Sequence, residues 1–235
     1  MSEPIISPAT RLSDIQEKMA RAAEQAGREA AAVTLVAVSK TKPAAAIEPV
    51  IALGHSVFGE NRVQEAAAKW PDLRAFAAKY APKEAKDIEL HLIGPLQTNK
   101  VEEALALFDV IETLDRPKLA AALARARDRQ PQAPFPRLYV QVNTGEEPQK
   151  SGIAPQELAD FLQLCRDTHN LQPEGLMCLP PVNAAPAPHF ALLRKLADAH
   201  GLAHCSMGMS GDFEIAIQQG ASHIRLGTQI FGPRD

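Results

Sequence analysis

The stretch Val33-Thr-Leu-Val-Ala-Val-Ser-Lys40 is a short apolar run that ends in an amine. Its β-branched residues predict a strand buried on both faces, and Thr41-Lys-Pro43 predicts where that strand ends. Apolar surroundings lower the pKa of a lysine and leave more free amine, which is the form that condenses with a carbonyl group. The alternative is a lysine whose stem is buried while its amine reaches solvent. The stretch alone leaves both interpretations open.

Strands of this kind recur along the chain in alternation with helices. Eight strands are predicted, at Val33–Ser39, Ser56–Gly59, Glu89–Ile93, Asp109–Thr113, Arg137–Asn143, Glu174–Cys178, Ala203–Met207 and His223–Leu226. The helical segments between them are Pro43–Leu53, Val63–Tyr80, Thr98–Leu107, Arg116–Arg129, Pro155–Thr168, Ala187–His200 and Met209–Gln218. This alternation indicates βαβ units and a parallel sheet.

Eight such repeats in a chain of 235 residues favour a single closed (β/α)8 TIM barrel, an α/β fold. An open doubly wound sheet is disfavoured because no G-x-G-x-x-G follows the first strand. The segment Thr10–Arg28 predicts an extra N-terminal helix that Gly27 ends. We expect residues 1–235 to form one domain.

Composition argues against several classes of function. The net charge of −3 comes from scattered charges, so we expect no nucleic-acid or membrane partner. The N-terminus has neither a basic segment nor an apolar one of the secretory kind. The three cysteines have no CxxC spacing and indicate free thiols in a reducing compartment, so we expect a cytoplasmic protein. The seven histidines form no metal-binding pattern, and we expect no metal site.

Two segments rich in glycine and hydroxyl groups follow the last two predicted strands. They are Ser206-Met-Gly-Met-Ser-Gly-Asp212 and Arg225-Leu-Gly-Thr228. Backbone N–H groups near helix N-termini favour an anion, and barrels often bind phosphate after strands seven and eight. Alternatively, Ser210 or Asp212 only caps the next helix. The coincidence of both segments favours a phosphate ligand.

Barrel closure places Lys40 on strand one, beside strand eight. A reactive amine next to a phosphate pocket suits pyridoxal 5′-phosphate, and it also suits a sugar phosphate in a class I aldolase. An aldolase needs acid and base groups at several strand ends, of which Glu60 is the clearest candidate. Arg225 is either a charge partner for a carboxylate on a neighbouring strand or a donor to the pyridine nitrogen, where a permanent cation weakens the ring as an electron sink.

Five collinear segments carry a family resemblance. They are Val36-Ala-Val-Ser-Lys-Thr-Lys-Pro43, Phe58-Gly-Glu-Asn-Arg-Val-Gln-Glu65, His91-Leu-Ile-Gly-Pro-Leu-Gln-Thr-Asn-Lys100, Ser206-Met-Gly-Met-Ser-Gly-Asp212 and Arg225-Leu-Gly-Thr-Gln-Ile-Phe-Gly232. Together they resemble the pyridoxal phosphate homeostasis protein family, which is related to the N-terminal barrel domain of alanine racemase. The resemblance extends over essentially the whole chain.

The resemblance implies a fold-type III barrel that holds pyridoxal phosphate as a Schiff base on Lys40. It implies phosphate contacts from Ser210, Gly227 and Thr228, and it places Arg225 near the pyridine nitrogen. Asn61 and Met209 match positions that line the cofactor. Two regions depart from the family pattern: Arg62 stands where many members have tyrosine, and the loop Asn143–Gly152 is a variant. The departure at Arg62 leaves the closure of the site mouth open.

We expect a non-catalytic protein that buffers the cofactor and delivers it, with apo forms of cofactor-dependent enzymes as candidate partners. The alternative is an amino-acid racemase, which needs a second base opposite Lys40. The chain's tyrosines, Tyr80 and Tyr139, lie at no predicted strand end, and little chain follows strand eight for a second domain. An aldolase-like enzyme ranks lower still. Without a second domain we expect a monomer.

Overall fold

The computed structural model describes residues 7–232, and eight parallel strands form a closed barrel in the order β1 to β8. The strands are β1 Thr34–Val38, β2 Val57–Glu60, β3 Glu89–Leu92, β4 Val110–Leu114, β5 Arg137–Val142, β6 Pro173–Cys178, β7 His204–Ser206 and β8 His223–Leu226. β8 pairs with β1 and closes the ring. The predicted (β/α)8 barrel is confirmed.

Helices connect the strands on the outside of the barrel. They are α1 Pro8–Gln25, α2 Ala44–Ala52, α3 Val63–Tyr80, α4 Val101–Leu105, α5 Pro117–Arg129, α6 Leu158–Gln163, α7 Pro186–Ala199, α8 Phe213–Gln218 and α9 Thr228–Phe231. Short 3₁₀ turns at Thr98–Lys100 and Pro155–Glu157 precede α4 and α6, and a π-helical turn at Leu164–Thr168 follows α6. The segment predicted as one helix at Pro155–Thr168 is therefore three consecutive turns of different pitch.

The extra N-terminal helix α1 packs against α8 and α9, the last helices of the barrel. The hydroxyl of Ser7 caps it by accepting the Thr10 N–H at 3.2 Å. After the helix, the guanidinium of Arg28 donates to the carbonyls of Ile217 and Ala221 at 2.7 and 2.8 Å. These contacts join the beginning of the described chain to its last repeat.

Alternate residues of each strand face either the barrel interior or the helices. Val36 pairs in register with Arg225, and a Cβ at Gly59 would lie 3.0 Å from Val36 Cγ1, so these residues share the interior. On the opposite face of β2, the ring of Phe58 lies 5.0 Å from that of Trp70 in α3. The same alternation puts Val38, two residues before Lys40, on the interior side and Glu60 on the helix side.

The state of the cysteines and the character of the helices can be compared with the sequence-based expectations. The cysteines Cys165, Cys178 and Cys205 are free, as predicted, and all three are buried. Burial raises the pKa of these thiols to about 11 for Cys165 and Cys205 and to about 12 for Cys178. Within residues 7–232, no helix combines the length and apolar character needed to cross a membrane.

Candidate functional site

Lys40 lies in a turn that α3 holds in place from outside the barrel. The next residue, Thr41, has a φ of +63°, a conformation that a β-branched residue adopts only when its surroundings impose it. Its N–H donates to Glu65 Oε1 at 2.5 Å, and the ammonium of Lys69 donates to the Ser39 carbonyl at 2.9 Å. The backbone on both sides of Lys40 is thus fixed by side chains from one helix.

Glu60 belongs to this outer support and does not face the barrel mouth. Its Oε1 accepts hydrogen bonds from Ser39 Oγ at 2.5 Å and Trp70 Nε1 at 3.2 Å, and Lys69 Nζ lies 2.9 Å away. Burial raises the pKa of Glu60, although Ser39 and Lys69 oppose the shift. Glu60 was the clearest acid or base candidate for the disfavoured aldolase alternative, and its place in the alternation of β2 turns it towards α3 instead.

The glycine-containing segment after β8 lies directly on β1. A Cβ at Gly227 would meet the carbonyl oxygen of Val38 at 3.1 Å and its Cβ at 3.4 Å, so glycine lets the two backbones approach. Thr228 is the first residue of α9, and its neighbour Gln229 donates from Nε2 to the Ser210 carbonyl at 2.7 Å. The segments that follow β7 and β8 are therefore hydrogen-bonded to each other beside the end of β1.

The segment after β7 closes on itself before α8 begins. The Met209 N–H donates to Asp212 Oδ1 at 2.6 Å, and the Asp212 N–H donates to the Met209 carbonyl at 3.0 Å. Asp212 occupies the position before α8 but makes no side-chain cap bond to that helix. The predicted helix start at Met209 is therefore displaced to Phe213, because the four residues before it form this turn. Met209 is exposed and Ser210 is half-buried.

Arg225 is buried inside the barrel below these segments, with 4% of its surface exposed. Its Nη1 donates to Ser206 Oγ at 2.7 Å and its Nη2 donates to the Cys178 carbonyl at 2.9 Å. Ser206 in turn donates to Glu112 Oε2 at 2.6 Å, and Arg225 Nη1 lies 3.8 Å from the same oxygen. The carboxylate partner of Arg225 thus comes from β4 across the interior and not from a neighbouring strand.

Glu112 and His91 form an interior pair that the sequence analysis missed. His91 Nδ1 is 2.7 Å from Glu112 Oε1, and both side chains are fully buried. Burial works to raise the pKa of Glu112, yet His91, Arg225 and Ser206 together hold it at about 2. Burial works to lower the pKa of His91, and the bonds to glutamate raise it instead. A charged residue within the apolar run Val110-Ile-Glu-Thr-Leu114 was the available signal.

Asn61 directly follows β2, and its amide oxygen is buried without a hydrogen-bond partner among the described residues. Its backbone is in close contact with Gly94, where a Cβ would lie 2.2 Å from the Asn61 carbonyl oxygen. An unpartnered buried acceptor is costly unless a ligand satisfies it. The following residue, Arg62, is exposed and makes no cap bond to α3.

Seven predicted cofactor contacts therefore lie on four adjacent strands, either just after the strand or, for Arg225, within it. They are Lys40 after β1, Asn61 after β2, Met209 and Ser210 after β7, and Arg225, Gly227 and Thr228 in and after β8. The tyrosines do not join them. Tyr139 is buried within β5, where its ring stacks on His204 at 5.4 Å, and Tyr80 is exposed at the end of α3.

The chain is similar over nearly its whole length to proteins that are already known. Residues 11–235 match the family model described as alanine racemase, N-terminal domain. The chain is 40% identical over 234 residues to the pyridoxal phosphate homeostasis protein of Pseudomonas aeruginosa, covering 97% of this chain and 96% of that one. It is 35% identical over 236 residues to the protein of the same name from Escherichia coli, covering 97% of each chain.

Solved structures give the same result. PipY of Synechococcus elongatus with PLP bound is 35% identical, with a TM-score of 0.74 over 93% of this chain and all of that one (100%). An alanine racemase of Clostridium difficile is 12% identical with a TM-score of 0.64, and the match covers 94% of this chain and 57% of the racemase, which shows a shared fold. The chain accordingly belongs to the pyridoxal phosphate homeostasis protein family, built on the barrel of the alanine racemase N-terminal domain.

Proposed function

We propose that this protein binds pyridoxal phosphate at the carboxyl end of the barrel and serves cofactor homeostasis without robust catalysis. The observation that carries the proposal is the close approach of the Gly227 segment to Val38, two residues before Lys40, with the buried cation Arg225 in β8 just before that segment. Support comes from relatives named for this role and from the related PipY structure that contains PLP.

Lys40 is the attachment point in this proposal. Its amine would hold the aldehyde carbon of the cofactor in a linkage that forms with loss of one water and is reversed by hydrolysis. The turn that carries Lys40 is held by α3 through Glu65 and Lys69, so the amine is presented from a fixed backbone. A fixed attachment point lowers the entropy lost on binding.

The phosphate group is assigned to Ser210, Gly227 and Thr228. Gln229 holds the Ser210 backbone next to the beginning of α9, which supports a shared role for the two segments. The unpartnered amide oxygen of Asn61 is the acceptor that a bound cofactor would satisfy, and Met209 lies at the exposed rim. These residues bind and orient the cofactor and take no part in bond breaking.

Arg225 determines how the bound ring behaves. Pyridoxal phosphate supplies an electron sink when its ring nitrogen is protonated. An arginine is permanently cationic and donates hydrogen bonds only, so it disfavours a proton on the group that it faces. Ser206 and the Cys178 carbonyl hold the guanidinium in place, with Glu112 close by. Arg225 therefore retains the cofactor while weakening its use in carbanion chemistry.

Racemisation is the second candidate function. A racemase needs a base on the cofactor face opposite Lys40. Tyr139 is fully buried within β5, and burial raises the pKa of its hydroxyl, while Tyr80 lies at the end of an outer helix. Neither is positioned for that role. We further propose a cytoplasmic monomer of one domain that exchanges cofactor with apo-enzymes and binds neither nucleic acid nor membrane.

The decisive test compares Lys40→Ala with Lys42→Ala, a matched change of a lysine two residues away. The wild-type protein and Lys42→Ala are expected to retain the visible absorption band of the lysine-bound cofactor after gel filtration, and Lys40→Ala to lose it. Equal cofactor content in the two variants contradicts the assignment of Lys40. Transfer of cofactor from the wild type to an apo-enzyme supports a carrier, whereas appreciable Cα deuterium exchange into single-enantiomer amino acids supports the racemase.

A further inference from the structure

A cluster of possible metal ligands lies at the amino end of the barrel, away from the proposed cofactor site. It consists of Glu89 and His91 in β3 and His223 in β8, whose ligand atoms all lie within 4.8 Å of one another. The two imidazole rings are tilted at 46° to each other, with centroids 5.7 Å apart. We propose that these three side chains bind a divalent transition-metal ion, with zinc as the ion that the donor set fits best.

The types of donor atom determine which metal ion the cluster fits. Two imidazole nitrogens and one carboxylate form a common zinc ligand set, and a fourth position is then filled by water. Calcium and magnesium prefer sites made of oxygen atoms alone, which this cluster does not offer. Sequence spacing gave no sign of the site because β3 and β8 are far apart in the chain and meet only when the barrel closes.

Hydrogen bonds behind the ligands orient both rings. His91 Nδ1 is held by Glu112 Oε1 at 2.7 Å, which directs Nε2 towards Glu89. His223 Nδ1 is held by Ser222 Oγ at 2.8 Å, which leaves Nε2 for the ion. A hydrogen-bond acceptor behind each ligating imidazole is usual in metal sites, since it fixes the tautomer and the ring orientation.

The carboxylate is oriented in the same way. Glu89 Oε2 forms an ion pair with Arg137 Nη2 at 2.7 Å, and this contact leaves Oε1 on the side of His91. Glu89 Oε1 and His91 Nε2 are now 2.8 Å apart, whereas two donors on one zinc ion stand roughly 3.3 Å apart for bonds of about 2.0–2.1 Å. When an ion binds, this hydrogen bond is lost and the two atoms move slightly apart. His223 moves closer to both of them.

The cluster is open to solvent through a cavity of about 420 Å³ at the amino end of the barrel. Glu89, Arg137, His204 and His223 are among the residues that line it. The Glu89 side chain is 33% exposed, whereas His91 is fully buried behind it. An ion can thus enter from this cavity, and water from the cavity supplies the fourth ligand.

A tag-free, chelator-washed full-length protein provides the test. Titration with Zn²⁺ is expected to show one ion per chain, and Co²⁺ in its place is expected to give the intense visible absorption of four-coordinate cobalt. X-ray absorption of the unaltered protein with zinc is expected to show two imidazole nitrogens, with bonds of about 2.0–2.1 Å. A six-coordinate ion surrounded by oxygen atoms overturns the proposal without any substitution.

Three variants locate the ion. Glu89→Gln and His223→Gln are each expected to weaken Zn²⁺ binding at least tenfold, while His200→Gln, at the end of α7, leaves the affinity unchanged. Cofactor content should stay constant in all three variants, which separates this test from that of the proposed function. Equal affinity in the wild type and both site variants means adventitious binding and overturns the proposal. A second result also overturns the proposal: zinc changes the cofactor band while the site variants bind Zn²⁺ with unchanged affinity. The cofactor would then be the group that binds the ion.

Discussion

Glu60 and Glu112 are both fully buried strand glutamates, and each accepts a hydrogen bond from a serine. They differ in how their oxygens are satisfied. All the donors to Glu60 meet at Oε1, and Oε2 is buried without a partner among the described residues. In Glu112, Oε1 and Oε2 have separate donors, and Arg225 is close by.

The pKa values of the two side chains follow this difference. Burial raises the pKa of Glu60, whereas the interior partners of Glu112 overcome burial and lower its pKa to about 2. Depth alone therefore does not decide the charge of a buried carboxylate in this barrel. The distribution of donors over both carboxylate oxygens separates the two residues, and the variants below test that conclusion.

Glu112→Gln is expected to have the largest effect. The change keeps the shape of the side chain but leaves the buried cation Arg225 without its counter-charge, and breaking such a pair costs about 3–5 kcal/mol. Urea denaturation measures the change in the free energy of unfolding. A loss below about 1 kcal/mol would show that the interior charges do not depend on one another.

Lys69→Met is expected to rank second. The Lys69 ammonium contacts Glu60 and Glu65 and donates to the backbone carbonyls of Ser39 and Lys42. Loss of hydrogen bonds from a charged group costs about 2 kcal/mol, and the loosened turn should also retain less cofactor on Lys40. Lys79→Met, in the same helix and stacked on the exposed ring of Tyr80, is the matched control and should change neither quantity. Equal free energies of unfolding and equal cofactor content in the two variants would show that Lys69 does not support the site.

Glu60→Gln is expected to cost only about 1 kcal/mol, since the amide oxygen still accepts from Ser39 and Trp70. The charge that is lost is one that burial already disfavours. The free energies of unfolding of Glu60→Gln and Glu112→Gln, measured side by side, make the contrast quantitative. Equal losses would contradict the distinction drawn between the two sites.

The pH dependence of stability, measured in buffer that contains a chelator, tests the same contrast in a second way. Glu112 has a lowered folded-state pKa, so its contribution is present above the ordinary value of 4.5 and is lost as the pH falls towards about 2. Glu60 has a raised folded-state pKa, so its contribution grows as the pH falls towards 4.5.

The variants should separate these two contributions. Glu112→Gln should lack the loss of stability that the wild type shows as the pH falls below 4.5. Glu60→Gln should lack the gain in stability that the wild type shows as the pH falls towards 4.5 from above. Parallel curves for the wild type and either variant would refute the corresponding pKa shift. Urea denaturation at a series of pH values provides the measurement.

The sequence predicted the barrel because each strand carries its own signal. Apolar runs such as Val36-Ala-Val38 indicate strands without reference to the rest of the chain, and the observed bounds lie within about two residues of the predicted ones. Helix ends were less predictable. The segment Met209–Gln218 begins with a turn because the Asp212 carboxylate accepts the Met209 N–H and not an N–H of α8, a choice that depends on local geometry.

Some residues of the candidate site could be identified from their own segment, and others only from the closed barrel. Lys40 and Arg225 could be identified because a cation at an apolar strand is unusual wherever it occurs. The direction of Glu60 and the partnership of Glu112 with His91 depend on which strand face is interior and on which strands face each other across it. The register of the closed barrel determines both properties, and no single segment contains that information.

The seam between β1 and β8 has a consequence for how the protein is made. Thr34 to Ala37 pair with His223 to Leu226, so the first strand obtains its second neighbour only from the last strand. Contacts between such distant segments form late, since closing a long loop costs entropy before any contact repays it. A growing chain therefore carries Lys40 for most of its synthesis beside an unfilled gap in the sheet, and the pocket proposed for the cofactor exists only once the final repeat has been added.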